Sequence, residues 1–252
     1  MKPLALLAVL LFPSLAQAGA WTRDQGHFYL GASYSYLGTD RFYDPDFKVV
    51  PIVPYTQHVV GLYGEVGILS RWLTATVEGT LYRRGEIAKQ GYTEGVGDWR
   101  LGAWTGLITH PVRLSFGVIV GFPTGDPLPN AGPNASPDAQ LVARSLPTGD
   151  GEWDVETRLA FGYSFGGVRR WPVVHYLTAE AGYWFRTRGF ADDFTYRLEL
   201  GTKFPYRFIE RFWFIVKLGG IESFASAAQA SRDATGLGDG VTYLSPGVDV
   251  YG

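Results

Sequence analysis

There is no cysteine anywhere in the 252 residues. Its lack excludes a disulfide framework, a thiolate metal site and a cysteine nucleophile. It also suits transit through an oxidising compartment, where stray thiols would be oxidised. Charge of one sign is equally scarce. The net charge is -2, and Lys and Arg are scattered along the chain, so no nucleic-acid partner is expected. Beyond the N-terminus no apolar run approaches the about 20 residues of a spanning helix. No composition break or linker divides the rest, which reads as one domain.

The first residues have a different character. Met1-Lys2-Pro3 is followed by an apolar run from Leu4 to Leu15 and by Ala16-Gln17-Ala18. A basic start, a short apolar stretch and a small-x-small end describe a secretory signal peptide. The expected division is residues 1–18 as signal peptide and 19–252 as the mature domain.

What is abundant is glycine, with 33 residues, and aromatic side chains, at 15%. Both suit strands joined by tight turns. Residues 152–165 show why. One face of a strand there carries Trp153, Val155, Thr157, Leu159, Phe161, Tyr163 and Phe165, and the other Glu152, Asp154, Glu156, Arg158, Ala160, Gly162 and Ser164. Successive strand side chains point to opposite faces, so one side is oily and the other wet.

The pattern recurs in ten candidate strands, at 27–36, 57–68, 72–83, 96–108, 112–122, 152–165, 175–186, 194–204, 211–221 and 241–251. Connections after odd strands are long or rich in Gly, Pro and Asp (37–56, 84–95, 123–151, 187–193 and 222–240), and those after even strands are mostly shorter. The predicted fold is all-β: an antiparallel transmembrane β-barrel with ten strands visible, twelve in a complete form, in a bacterial outer membrane. The chain closes on Val250-Tyr251-Gly252, which reads as a strand lacking a further hairpin.

A secreted soluble barrel would share the alternation. The placement of rings argues against it. With strands alternating in direction, Tyr34, Tyr36, Trp99, Trp153, Tyr183, Phe185, Phe194 and Tyr196 gather toward the outer end. Phe28, Tyr163, Phe165, Phe204, Phe212 and Phe214 gather toward the inner end, with aliphatic residues between. Two aromatic belts fit a bilayer. Turning the charged face of 152–165 to lipid would cost about 2–4 kcal/mol for Arg158 alone near the midplane, so the charges are expected inside.

The predicted lumen carries Glu65, Glu78, Asp98, Arg100, Arg113, Glu152, Asp154, Glu156, Arg158, Glu180, Arg186, Arg197, Glu199, Lys203 and Lys217. Two uses are open: a narrow interior neutralised by cross-strand ion pairs, or a wet path for a solute. The first long loop, 37–56, is oily, with Phe42, Tyr43, Phe47 and Tyr55 as candidates for a constriction or an apolar-ligand site.

Turn chemistry marks three further places. "FPTGDP" (122–127) and "LPTGDG" (146–151) bracket the longest loop, and "EGVGDWRLG" (94–102) leads into a strand. Pro, Gly and Asp in this order anchor turns. The alternative is a hard-cation site using Asp126, Asp150, Glu152 and Asp154, although no established loop spacing is present. No Gly-Lys-Ser/Thr phosphate loop occurs.

The order "GVGDWRLG", then "PTGD", then "TGDGEWDVE" resembles a family of outer-membrane transporters named for the meta-pathway of phenol degradation. The likeness runs over about residues 26–250. The matching positions are Gly97, Asp98, Leu101 and Gly102, then Pro123, Thr124, Gly125 and Asp126, then Gly149, Asp150 and Asp154. The resemblance implies uptake of a small apolar or aromatic solute and brings no catalytic residues.

The expected role is passive passage of such a solute, with outer-membrane lipid as surroundings and the barrel-assembly machinery as partner during insertion. No cofactor or metal is expected. A structural or surface-binding barrel with a plugged lumen is the alternative, and a hydrolase comes third. For the last, only His58 lies near loop acids, Asp40 and Asp44, and no Gly-x-Ser-x-Gly elbow accompanies it. The chain is therefore read as a non-enzyme, with the oligomeric state open.

Overall fold

The computed structural model describes residues 19–43, 48–130, 137–168, 171–205, 212–224 and 241–250. Strand follows strand: β1 (Phe28–Tyr43), β2 (Val49–Leu69), β3 (Leu73–Ile87), β4 (Gly91–Gly95), β5 (Trp99–Ile108) and β6 (Arg113–Phe122). The helix α1 (Pro137–Arg144), the one helix among the described residues, precedes β7 (Asp154–Val168), β8 (Trp171–Arg186), β9 (Asp193–Lys203), β10 (Phe212–Ser223) and β11 (Val241–Val250).

Ten strands form one path, β1-β2-β3-β5-β6-β7-β8-β9-β10-β11, with short β4 paired to β3 beside it. Among the described residues every strand pairing is antiparallel, as short-range connections allow. The predicted all-β antiparallel architecture holds, and the sheet curls into a half-barrel. Among the described residues β1 and β11 are its two edges. The rim where β1 starts is called lower here and the rim where it ends upper.

The alternation seen at 152–165 survives folding. In β7, Asp154, Glu156, Arg158, Ala160 and Gly162 are buried, while Val155, Leu159 and Tyr163 are exposed. β6 repeats the scheme, with Ser115, Gly117, Ile119 and Gly121 buried and Phe116 and Val118 exposed. Neighbouring strands keep this parity because their register is in step: Arg158 faces Gly117 on one side and Gly182 on the other. A slip of one residue would turn every charge outward.

β1, β2 and β3 run well past their expected upper ends, whereas β5 and β7 begin two to three residues inside theirs. Residues 37–56, expected as a loop, are ladder on both arms: Leu37 pairs Gln57 and Tyr43 pairs Val49. Residues 84–95 are likewise the end of β3, a turn and β4. Gly38, Pro51 and Pro54 broke the alternation in the sequence. The ladder absorbs the irregularity in a register shift between Thr39 and Arg41. β3 divides its partners to build the extension. Its lower half pairs β5, from Thr74–Trp104 to Gly79–Trp99, and its upper half pairs β4, from Arg83–Gly95 to Ile87–Gly91.

The longest loop does not stand free. Among its described residues, α1 and the stretch after it lean on this extended wall, with Val142, Ala143 and Leu146 buried. Thr93 donates its hydroxyl to the Leu146 carbonyl.

Candidate functional site

The concave face gathers most of the charges expected there. Its centre is a cluster held by β3, β5, β7, β8 and β9. Arg100 reaches Glu78 at 3.3 Å, Asp154 at 3.3 Å and Glu156 at 2.8 Å. Arg158 reaches Glu156 at 2.7 Å and Glu180 at 3.2 Å, and Arg197 approaches Glu180 at 3.8 Å. Thr195 also donates to Glu156 at 2.7 Å, and the Trp184 ring nitrogen to Asp154 at 2.6 Å. The cluster holds four carboxylates and three guanidinium groups. Glu156 is 1% exposed. A buried charge persists only when paired and hydrogen-bonded, and each of these has such partners.

Smaller pairs stand below. Lys217 binds Glu199 at 2.8 Å, Arg23 binds Glu65 at 2.5 Å, and Tyr63 donates to Glu65 at 2.6 Å. Lys203 lies over the Trp213 ring, and Arg113 stands at the start of β6 opposite Gly162. A cavity of about 170 Å³ opens beside the central cluster, lined by Arg100, Glu156, Arg158, Glu180, Trp184 and Thr195 among others. Sequence reasoning missed the aromatic side chains of this face. Trp104, Tyr176, Trp184 and Trp213 carry no charge to flag them, and only the settled parity of their strands turns them inward.

At the upper rim, Asp98 and Glu152 precede their strands and act as anchors. Thr124 donates to the Gly97 carbonyl at 2.8 Å. The Asp98 carboxylate accepts from the Gly125 amide on one oxygen and the Asp150 amide on the other, both at 2.8 Å. Thr148 accepts from the Asp126 amide at 2.8 Å and returns its own amide to the Asp126 carbonyl. The three turn motifs thus tie one knot with Asp98 at its hub. Gly149 lies so close to Asp98 that a β-carbon there would collide with the carboxylate. Burial and the nearby Asp150 charge raise Asp98 above the ordinary carboxylate range, partly offset by the two amides. Asp98→Ala leaves both amides without this acceptor and is expected to loosen the knot by about 2–3 kcal/mol, read as faster hydrogen exchange at Gly125 and Asp150. Asp98→Asn is expected to recover part of that.

The four acids of the alternative cation site do not converge. Asp126 accepts from the Leu128 amide, Asp150 from the Glu152 amide, and Asp154 faces Arg100 and Trp184. Glu152 accepts from Arg186 at 2.5 Å and from the Thr187 amide at 2.9 Å. Arg186 is shared with Asp150 at 3.4 Å and Asp193 at 3.5 Å. Burial, outweighing Arg186 and reinforced by Asp150, pushes Glu152 up to about 7. The folded protein therefore takes up a proton that the unfolded chain, titrating near the ordinary 4.5, does not hold. Stability is expected to fall as pH rises between those values and level off above. Urea midpoints across that range test this, and Glu152→Gln should flatten the slope.

The oily constriction candidates are placed differently from expectation. Phe42 and Tyr43 belong to β1 and Tyr55 to β2, so they are parts of a wall rather than of a folded-in loop. Phe47 lies outside the described residues. His58 is bonded to Tyr34 through Nδ1 at 2.7 Å on the outward-facing parity, and Asp40 is held by Arg41 at 2.7 Å. The conceivable His58–Asp40 pairing is not made, and Asp44 lies outside the described residues.

No family model matches the chain, and no curated protein is detectably similar to it.

Proposed function

We propose that the protein is an outer-membrane β-barrel through which a small solute passes passively along the charged lumen. One observation carries the reading: burial is inverted between the faces. Large apolar residues stand exposed on the convex face, among them Phe28 at 77%, Leu30, Leu101, Leu159, Leu198, Leu200 and Val216. Charged residues fill the buried one. In water an apolar surface of this extent is a liability, whereas in lipid it is the required exterior. No helix among the described residues is long and apolar enough to cross a membrane, a property that leaves strand-crossing untouched. A spanning sheet cannot expose an edge to lipid, so the reading requires β1 and β11 to be joined in the bilayer, directly or through further strands.

The lining of guanidinium, carboxylate and indole suits a solute that carries a polar group beside a ring. That narrows the small apolar or aromatic class implied by the family resemblance. Heat-modifiable migration of the purified protein tests the barrel, and swelling of protein-loaded liposomes tests passage. A barrel that migrates as folded yet admits no solute is the plugged surface barrel instead. The small size of the lumen cavity favours that second reading.

A further inference from the structure

Six residues before β1 lie inside the half-barrel rather than below it. Gly19 gives its carbonyl to the Ser115 hydroxyl on β6. Ala20 is 3% exposed and packs with Trp104, Ile119 and Ala160. Trp21 meets the Tyr176 ring edge-on at 5.9 Å. Arg23 reaches across to Glu65 at 2.5 Å and gives its amide to Thr74 at 2.8 Å. Asp24 closes the run on Arg71 and Ser70, each at 3.2 Å. The segment thus crosses the lower half of the concave face from β6 and β7 to the β2–β3 turn. Beside it lies a cavity of about 10 Å³, roughly the least that admits a single water.

The start of this segment sits at the central charge cluster. A β-carbon on Gly19 would come within 2.8 Å of Glu180 Oε1 and 3.1 Å of Trp104. The Gly19 nitrogen hangs on the same α-carbon and so lies within about 5 Å of that carboxylate. Glu180 is 6% exposed there, with Arg158 at 3.2 Å and Arg197 at 3.8 Å. Processing after Ala18, the expected cleavage point, converts the Gly19 nitrogen into an ammonium at that place.

We infer that Gly19–Asp24 is a resident plug of the lower lumen, and that the α-amino group freed before Gly19 binds Glu180 at the edge of the central cluster. The inference rests on the barrel reading for its meaning, since a plug matters only where something passes. Small residues at 19 and 20 suit a seat between Trp104, Glu180 and Gly162, where larger side chains do not fit. Passage through the lumen requires the segment to leave or shift.

The test uses the mature protein with its native sequence. Intact mass gives the first residue, and a start other than Gly19 overturns the ion pair. Acetic anhydride near neutral pH then labels amines on the folded protein. Lys89, exposed in the β3–β4 turn, is the internal reference. Gly19 is expected to react at least about ten-fold more slowly than Lys89 when folded, and faster than Lys89 in urea. Equal or faster labelling in the folded state overturns the plug. Glu180→Gln is expected to raise Gly19 labelling about ten-fold, because the ammonium loses its partner, and unchanged labelling refutes the ion pair. Deletion of residues 19–23 is expected to increase liposome swelling above the intact protein. A folded deletion variant with unaltered swelling, where the intact protein does pass solute, overturns the gating role. Protection of Gly19 with no swelling in either protein leaves the plug standing and refutes passage. Heat-modifiability, scored separately, reports on the barrel itself.

Discussion

Replacing Arg158 with methionine is expected to cost the folded protein about 3–5 kcal/mol, the penalty for stranding a buried charge. Arg158 is 8% exposed and stands between Glu156 and Glu180, with its guanidinium 6.0 Å from the Trp104 ring centre. Methionine fills much of its volume and leaves two buried carboxylates with less compensation. Arg100 and Thr195 still serve Glu156, and Arg197 still approaches Glu180, so the loss should stay below complete unfolding. Tryptophan fluorescence in a urea titration reads the change. The double variant Arg158→Met with Glu156→Gln is expected to recover part of the loss, because residues in one network are not additive. A single-variant loss under about 1 kcal/mol would mean that water reaches the cluster freely and screens it.

The second large effect separates lipid from water. Leu159, at the middle of β7, is 46% exposed on the convex face between Phe116 of β6 and Ala181 of β8. For a protein in water, Leu159→Arg at such a position should move stability by no more than about 0.5 kcal/mol. For a barrel in a bilayer it should cost about 2–4 kcal/mol, because arginine must be held near the midplane. Trp153→Arg, between Glu152 and Asp154 at the upper rim and 53% exposed, should cost only about 0–1 kcal/mol at the interface. Folding into vesicles of defined thickness measures both. Similar small costs at the two positions would refute the membrane reading.

The strand order, the face of each residue in β6 and β7 and the charged concave wall were legible in the sequence. They follow from a period of two, which is local and needs no partner. The upper boundaries were not legible. Pro51 and Pro54 look like loop markers, yet they sit in a ladder that tolerates them near its end and beyond a register shift. The double partnership of β3 was likewise hidden, since nothing in Arg83–Ile87 says which neighbour it will choose. The turn motifs were read correctly as anchors, but their meeting at Asp98 is a contact between residues 27 and 52 positions apart. The segment 19–24 has no period at all. Nothing in the order of its residues pointed to a seat inside the sheet.

The length of β2 has a consequence if the proposed outer-membrane barrel is accepted. Its 21 residues extend about 70 Å at about 3.3 Å each, and a tilt of about 40° leaves roughly 50 Å of height against an apolar band about 25 Å tall. On that reading the excess stands above the lipid as a stiff palisade, built from paired backbone and braced by α1. An antibody or a phage arriving from outside would grip a folded epitope, not a loose loop. Such recognition should vanish on boiling, together with the folded form, and a peptide copied from residues 49–56 should fail to compete for it.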